Sequence, residues 1–142
     1  MGQITGSQKM RVENWAAILA DHIQSSVGKP FIWGERDCCL WVADIVNDMT
    51  GVDYAAEFRG KYHSKSEAIK LLSSKYGSLQ EYLDVLFDEV RLTYAKRGDV
   101  VVSKFDGMHA LGIVVDSRAA FTAATGLAYI PVLDCIRAWS ID

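Results

Sequence analysis

The sequence has few cysteines, no cluster of basic residues and no long apolar run, and each shortage excludes a class of protein. Three cysteines among 142 residues, with Cys38 and Cys39 adjacent, do not make a disulfide framework, so we expect a chain that is kept reduced. The net charge of −3 without a basic cluster argues against nucleic acid as the main partner. No stretch approaches the roughly 20 apolar residues of a membrane span, so none is expected.

The remaining composition is typical of one soluble globular domain. Half of the residues are hydrophobic and 23% are charged, and the chain is long enough to bury a core. We expect residues 1–10 to form a flexible arm that is not a secretory signal, and residues 11–142 to form a single domain. We find no repeat or linker, and no pattern that predicts a metal or cofactor site.

Helical spacing of apolar residues dominates the chain up to about residue 90. The predicted helices span residues 15–27, 40–49, 67–76 and 79–90. Ser64 and Ser78 each stand three residues before a glutamate, and this capping-box pattern opens the last two helices. The first helix is expected to pack under the second.

Short β-rich runs follow, and turn residues such as Asp106-Gly107 separate them. The predicted strands span residues 100–105, 109–115, 118–122, 127–130 and 135–141. Helices followed by a small antiparallel sheet of four to six strands make an α+β architecture.

The segment before the second helix places a cysteine in the first helical turn. Asp37 is the predicted N-cap, because its carboxylate can accept amide protons of that turn. The helix dipole favours an anion at Cys38, so its thiol should ionise more readily than an ordinary one with a pKa of about 8.5. Phe31 and Trp33 are expected to line the path by which a substrate reaches the thiol. Gly34 is expected to allow a tight backbone turn close to the thiol.

Cys38 also fits a purely structural role. At roughly 100° per residue it shares one apolar stripe with Val42, Ile45 and Met49. A cysteine on such a stripe is usually a small buried hydrophobe. Helical spacing alone therefore leaves both interpretations open.

The order of several short motifs resembles the NlpC-type branch of the papain-like cysteine peptidases. They are Gly34-x-x-Asp37-Cys38, Arg97-Gly98-Asp99-Val100-Val101-Val102 and His109-Ala110-Leu111-Gly112-Ile113-Val114. The resemblance implies a papain-like, NlpC-type domain. In such a domain a helix presents the thiol of Cys38 to a sheet that presents an imidazole.

The candidate site follows from these motifs. His109 is the only histidine in the sheet half of the chain, so it is the candidate base by elimination. Asp116 and Thr122 are candidates for the polar group that orients its ring. The candidate catalytic residues are thus Cys38, His109, Asp116 and Thr122, and the candidate substrate-binding residues are Phe31, Trp33, Gly34 and Asp37.

Two positions depart from the family pattern. The family's histidine stands at the position of Ala110, so His109 is one residue early. Its ring is expected on the opposite face of the sheet unless a bulge near Asp106-Gly107 re-aims it. A tyrosine that often completes the oxyanion environment is replaced by Phe31. Both departures predict weak or no hydrolysis of peptidoglycan.

The stretches Thr50-Gly51-Val52-Asp53 and Arg59-Gly60-x-Tyr62 further resemble a subgroup found in phage and prophage tail-tip gene clusters. The resemblance implies a tail-tip or baseplate protein with a degraded peptidoglycan-hydrolase site. It would be made in the bacterial cytoplasm, located in the virion and bound to other tail proteins. Trp139 and Tyr62 are the expected exposed aromatics for such contacts. The alternatives are an active cell-wall cysteine endopeptidase or amidase, and a thiol redox sensor that uses the adjacent cysteines.

Overall fold

A computed structural model describes residues 11–142, and the arm predicted at residues 1–10 lies outside them. The described chain forms helices first and an antiparallel sheet afterwards, which confirms the predicted α+β class. The helices are α1 (Trp15–Ser26), α2 (Cys38–Thr50), α3 (Lys65–Tyr76) and α4 (Leu79–Leu86). The strands are β1 (Asp88–Val90), β2 (Val100–Phe105), β3 (Met108–Val114), β4 (Arg118–Ala123), β5 (Gly126–Pro131) and β6 (Arg137–Ser140).

The sheet has the strand order β1-β6-β2-β3-β4-β5, and every neighbouring pair is antiparallel. The middle strands β2, β3 and β6 carry buried residues on both faces. Within residues 11–142, no helix is both long and apolar enough to cross a membrane.

α2 is the central helix of the core. Val42, Ile45 and Met49 are fully buried, which confirms the predicted apolar stripe. α1 packs on α2, where the indole nitrogen of Trp41 donates to the Ser26 hydroxyl at 2.9 Å. On its other side α2 contacts β3 and β4, so the helix lies between α1 and the sheet.

The fourth helix is shorter than predicted. α4 ends at Leu86, Phe87 is extended, and Asp88–Val90 forms the edge strand β1, which pairs with β6. The prediction of one helix across residues 79–90 is therefore wrong at its C-terminal end. The ladder with β6 and the ion pair between Glu89 and Arg137 stabilise the extended backbone, and both partners come from the far end of the chain.

A regular hairpin joins β2 to β3. Asp106 and Gly107 form its two-residue turn, both with positive φ, and the pairing keeps one register from Val100↔Ile113 to Phe105↔Met108. No bulge interrupts these pairs. His109 consequently shares a face of β3 with Leu111 and Ile113, which pack into the core that contains α2.

Candidate active site

Asp37 holds together the chain segments at the start of α2. Its buried carboxylate accepts the Leu40 amide on Oδ1 at 3.0 Å. Oδ2 accepts the Gly34 amide at 2.9 Å and the Tyr62 hydroxyl at 2.7 Å. The N-cap predicted for Asp37 is confirmed, and the same carboxylate also ties the loop before α2 to the segment after it.

Gly34 brings its loop against the backbone of Tyr62. The glycine has φ of +83°, and a Cβ placed there would lie 2.4 Å from the Tyr62 carbonyl oxygen. Only a residue without a side chain fits both this conformation and this contact.

The thiol of Cys38 lies at the first position of α2 and is 7% exposed. The thiol of Cys39 donates a hydrogen bond to the Cys38 sulfur and lowers the pKa of Cys38. Burial and the charge of Asp37 oppose this effect, whereas the backbone amides of Leu111 and Cys39 add to it. The pKa of Cys38 is lowered on balance. The hydrogen bond with Cys38 and burial raise the pKa of Cys39 well above its usual value.

A cavity with a volume of about 320 Å³ opens beside Cys38. Its walls come from the loop before α2, the aromatic segment at residues 54–62, helices α3 and α4, and the β2–β3 turn. Of the candidate site residues, Cys38, His109, Trp33 and Asp37 line this cavity. The structure thus brings the predicted nucleophile and the predicted base to one cavity.

His109 is exposed, and among residues 11–142 its ring makes no hydrogen bond to Cys38. Its Nε2 lies 3.4 Å from the side-chain nitrogen of Gln80. The Gln80 oxygen accepts from Arg137 at 3.0 Å, and an arginine has only donors, so the Gln80 NH₂ group faces the ring. Nε2 of His109 is therefore the acceptor in this contact.

The position of His109 corrects one expectation from the sequence. The one-residue offset predicted a ring on the opposite face of the sheet in the absence of a bulge. The hairpin has no bulge, yet His109 lies on the face that packs against α2. Ala110, at the family's histidine position, points away from the cavity-lining face by strand alternation.

The remaining candidates lie outside the cavity. Phe31 packs edge-on against Trp33, with ring centroids 4.8 Å apart, and supports the loop. Asp116 lies in the turn after β3, at the opposite end of the strand from His109. The guanidinium of Arg118 binds Asp116 there and lowers its pKa.

Thr122 on β4 has a buried hydroxyl without a hydrogen-bond partner in the described residues. The His109 ring bonds to neither Asp116 nor Thr122, so no contact supports either as the orienting group. The catalytic and substrate-binding roles of all these candidates stay predictions.

Three residues that contact the site were missed. Leu111 acts through its backbone amide, which no residue type can signal. Gln80 is a polar position on α4, and only the tertiary fold brings it to His109. The sequence predicts Tyr62 only as an exposed aromatic for partner contacts, and its hydroxyl is the available sign of a polar role. In the described part of the chain, no cluster of three or more His, Cys, Asp or Glu is placed to hold a metal.

We expect iodoacetamide to alkylate Cys38 before Cys39 and Cys135 in the native protein. Burial raises the pKa of Cys135 to about 11, and that of Cys39 is also raised, whereas that of Cys38 is lowered. A thiol with a lower pKa forms thiolate at lower pH, so labelling of Cys38 should begin at the lowest pH of the three. Timed labelling with fragment mass spectra measures the order, and earlier labelling of Cys39 or Cys135 would contradict it.

The described chain has an NlpC-like, papain-like α+β fold. A cysteine begins the central helix, which packs on an antiparallel sheet that carries a histidine. The structure is similar to the NlpC/p60 domain of the peptidoglycan hydrolase SagA, with a TM-score of 0.59 and 17% sequence identity. The match covers 89% of this chain and 98% of that chain, and at this identity it shows the fold.

The particular family follows from the sequence. Residues 10–141 match the model of a family described as a domain of unknown function, DUF6950, and the chain belongs to this family. No curated protein matches the chain.

Proposed function

We propose that this protein is a phage or prophage tail-tip or baseplate component whose NlpC-like domain keeps a weakened peptidoglycan-hydrolase site. The fold of a peptidoglycan hydrolase domain supports the second half of the proposal. The observation that carries the weakening is that His109 bonds to Gln80 and not to Cys38. The tail-tip role and the location in the virion rest on the motif resemblance.

The chemistry available to the site is transfer of an acyl group to a thiol. Cys38 Sγ attacks the carbonyl carbon of a peptide bond, and the thiol proton passes to His109. The C–N bond breaks as His109 returns the proton to the amine nitrogen, and water then hydrolyses the thioester. The N-terminal amides of α2 offer donors to the oxyanion.

The separation of the two groups limits this reaction. Without a hydrogen bond between Cys38 and His109, each proton transfer needs a bridging water molecule or a rotation of the imidazole. General acid–base assistance contributes about 10²–10⁴-fold, and a displaced base forfeits much of it. The lowered pKa of Cys38 favours the alternative of an active endopeptidase or amidase. The redox-sensor alternative rests on the contact between Cys38 and Cys39.

The surface for tail partners differs from the one expected. Trp139 and Tyr62, predicted as exposed aromatics, are both buried. Two short 3₁₀ turns, Leu92–Tyr94 and Val132–Asp134, contact each other. They carry two exposed apolar side chains, Tyr94 with 71% and Leu133 with 66% of its surface accessible. We propose Tyr94 and Leu133 as the contact surface for other tail proteins.

We expect the isolated domain to release little or no fragment from purified peptidoglycan, because its base does not contact its nucleophile. The measurement is the release of soluble stem peptides by the parent, Cys38→Ala and Cys39→Ala. Substantial release that Cys38→Ala abolishes and Cys39→Ala retains would establish the active-enzyme alternative.

The structural role has its own test. Cys38→Ala should still bind the tail proteins encoded beside this chain, while Tyr94→Ser combined with Leu133→Ser should weaken that binding. Absence of binding by the parent protein would rule out the tail-tip role.

A further inference from the structure

The wall of the cavity beside Cys38 is mostly apolar. Among the described residues, no lysine or arginine lines it, and its carboxylate, Asp37, already accepts from three donors of the protein. Aromatic and aliphatic side chains make most of the wall. They include Trp33, Phe58, Ile69, Leu72, Leu79 and Met108.

The tyrosines of the cavity wall turn their hydroxyls into the protein. Tyr54 donates to the Cys39 carbonyl at 3.2 Å, Tyr62 donates to Asp37, and Tyr82 donates to the Tyr54 carbonyl. These rings therefore offer their carbon surfaces to a ligand, and their hydroxyls are already used.

The serines of the wall also have hydrogen-bond partners within the protein. Ser73 donates to the Lys70 carbonyl at 3.2 Å, and Ser78 accepts the Glu81 amide as the N-cap of α4. A sugar or a carboxylate in the cavity would lose its hydration with few groups to replace it. An apolar group would gain from burial there.

Resting on the thiol chemistry proposed above, we infer that this cavity binds an uncharged apolar acyl group of the substrate, next to the carbonyl carbon that Cys38 attacks. A volume of about 320 Å³ is at the lower end of the roughly 300–1,000 Å³ of small-molecule sites, which suits one large side chain or a short acyl chain. The bond formed joins Sγ to the acyl carbon. The bond broken releases an amine or alcohol that takes the thiol proton.

Alkylation of native protein by matched reagents tests this inference. Cys38 should react at least about tenfold faster with N-hexyl-iodoacetamide than with N-methyl-iodoacetamide. The hexyl reagent has five more methylene groups, and each one that is fully buried increases binding by up to about fourfold. The same hexyl chain ending in a carboxylate should lose most of this gain. Cys135, outside the cavity, serves as the internal control and should show a ratio near one.

A change in the cavity wall gives a second readout. Ala68 lies on α3 in the wall, and Ala68→Phe should fill part of the cavity and reduce the hexyl-to-methyl ratio for Cys38. Rapid reaction of Cys38 at equal rates with both reagents would overturn the apolar inference and leave the thiol site standing.

Binding without reaction separates the two proposals fully. In Cys38→Ala, N-hexylacetamide should shift the NMR signals of Trp33 and His109, and its carboxylate-ended analogue should not. Absence of binding overturns the inference whatever the thiol does. Cys38→Ala could bind N-hexylacetamide while Cys38 of the parent protein reacts no faster than Cys135. This result would support the apolar binding site and refute the role of Cys38 as a nucleophile.

Discussion

Replacing Asp37 by alanine should lower the free energy of unfolding by about 3 kcal/mol or more, because three donors, two of them in buried hydrogen bonds, lose one acceptor. The Leu40 amide loses its cap, and the Gly34 amide and Tyr62 hydroxyl lose the oxygen they share. Urea denaturation followed by circular dichroism measures the loss.

Ser64→Ala is the matched control for the cap alone. Ser64 caps α3 by accepting the Glu67 amide at 3.2 Å. The site is exposed, and the other hydrogen-bond partner of the Ser64 hydroxyl is Ser66. Loss of such a cap should cost about 1 kcal/mol. Equal losses in Asp37→Ala and Ser64→Ala would show that the contacts of Asp37 to Gly34 and Tyr62 add nothing.

Gly34→Ala should lower the free energy of unfolding by about 3–4 kcal/mol, from the left-handed backbone together with the clash. The added Cβ meets a backbone oxygen at 2.4 Å, and no side-chain rotation relieves that contact. The loop must move away from Tyr62, so the hydrogen bonds of Asp37 weaken at the same time. The measurement is again urea denaturation.

Gly60→Ala isolates the effect of the clash. Gly60 also has a positive φ, +75°, but a Cβ there meets nothing within 4 Å. Its loss should be about 1 kcal/mol, from the left-handed conformation alone. The reduced freedom of the unfolded chain affects both variants alike and cancels in the comparison. If Gly34→Ala is no less stable than Gly60→Ala, the close approach to Tyr62 has no energetic weight.

The local signals in the sequence predicted the start of the site well. The N-cap at Asp37 and the apolar stripe of α2 depend on neighbouring residues, and both agree with the structure. The wrong helix prediction at residues 87–90 arises from a contact between residues distant in sequence. Amphipathic spacing there favours a helix, and only pairing with the distant strand β6 makes the segment extended.

The contacts around the predicted base were beyond sequence reasoning for the same reason. Gln80 on α4 reaches His109 because α4 and the β2–β3 turn line the same cavity, and Arg137 from β6 fixes which end of the Gln80 amide faces the ring. Asp116 lies close to β3 in sequence but beyond the end of the strand that is far from His109. A strand separates its two ends by about 3.3 Å per residue, which carries Asp116 far from His109.

The Leu111 amide that helps to lower the pKa of Cys38 belongs to β3, in the opposite half of the chain. While the ribosome makes the N-terminal helices, this donor does not yet exist beside the thiol. Contacts between residues so distant in sequence form late, because the intervening chain must first be made and ordered. The contribution of the Leu111 amide to the lowered pKa of Cys38 therefore arises only after β3 has been made and packs against α2. The surroundings that favour the Cys38 thiolate are thus complete only when the fold that encloses the thiol is complete.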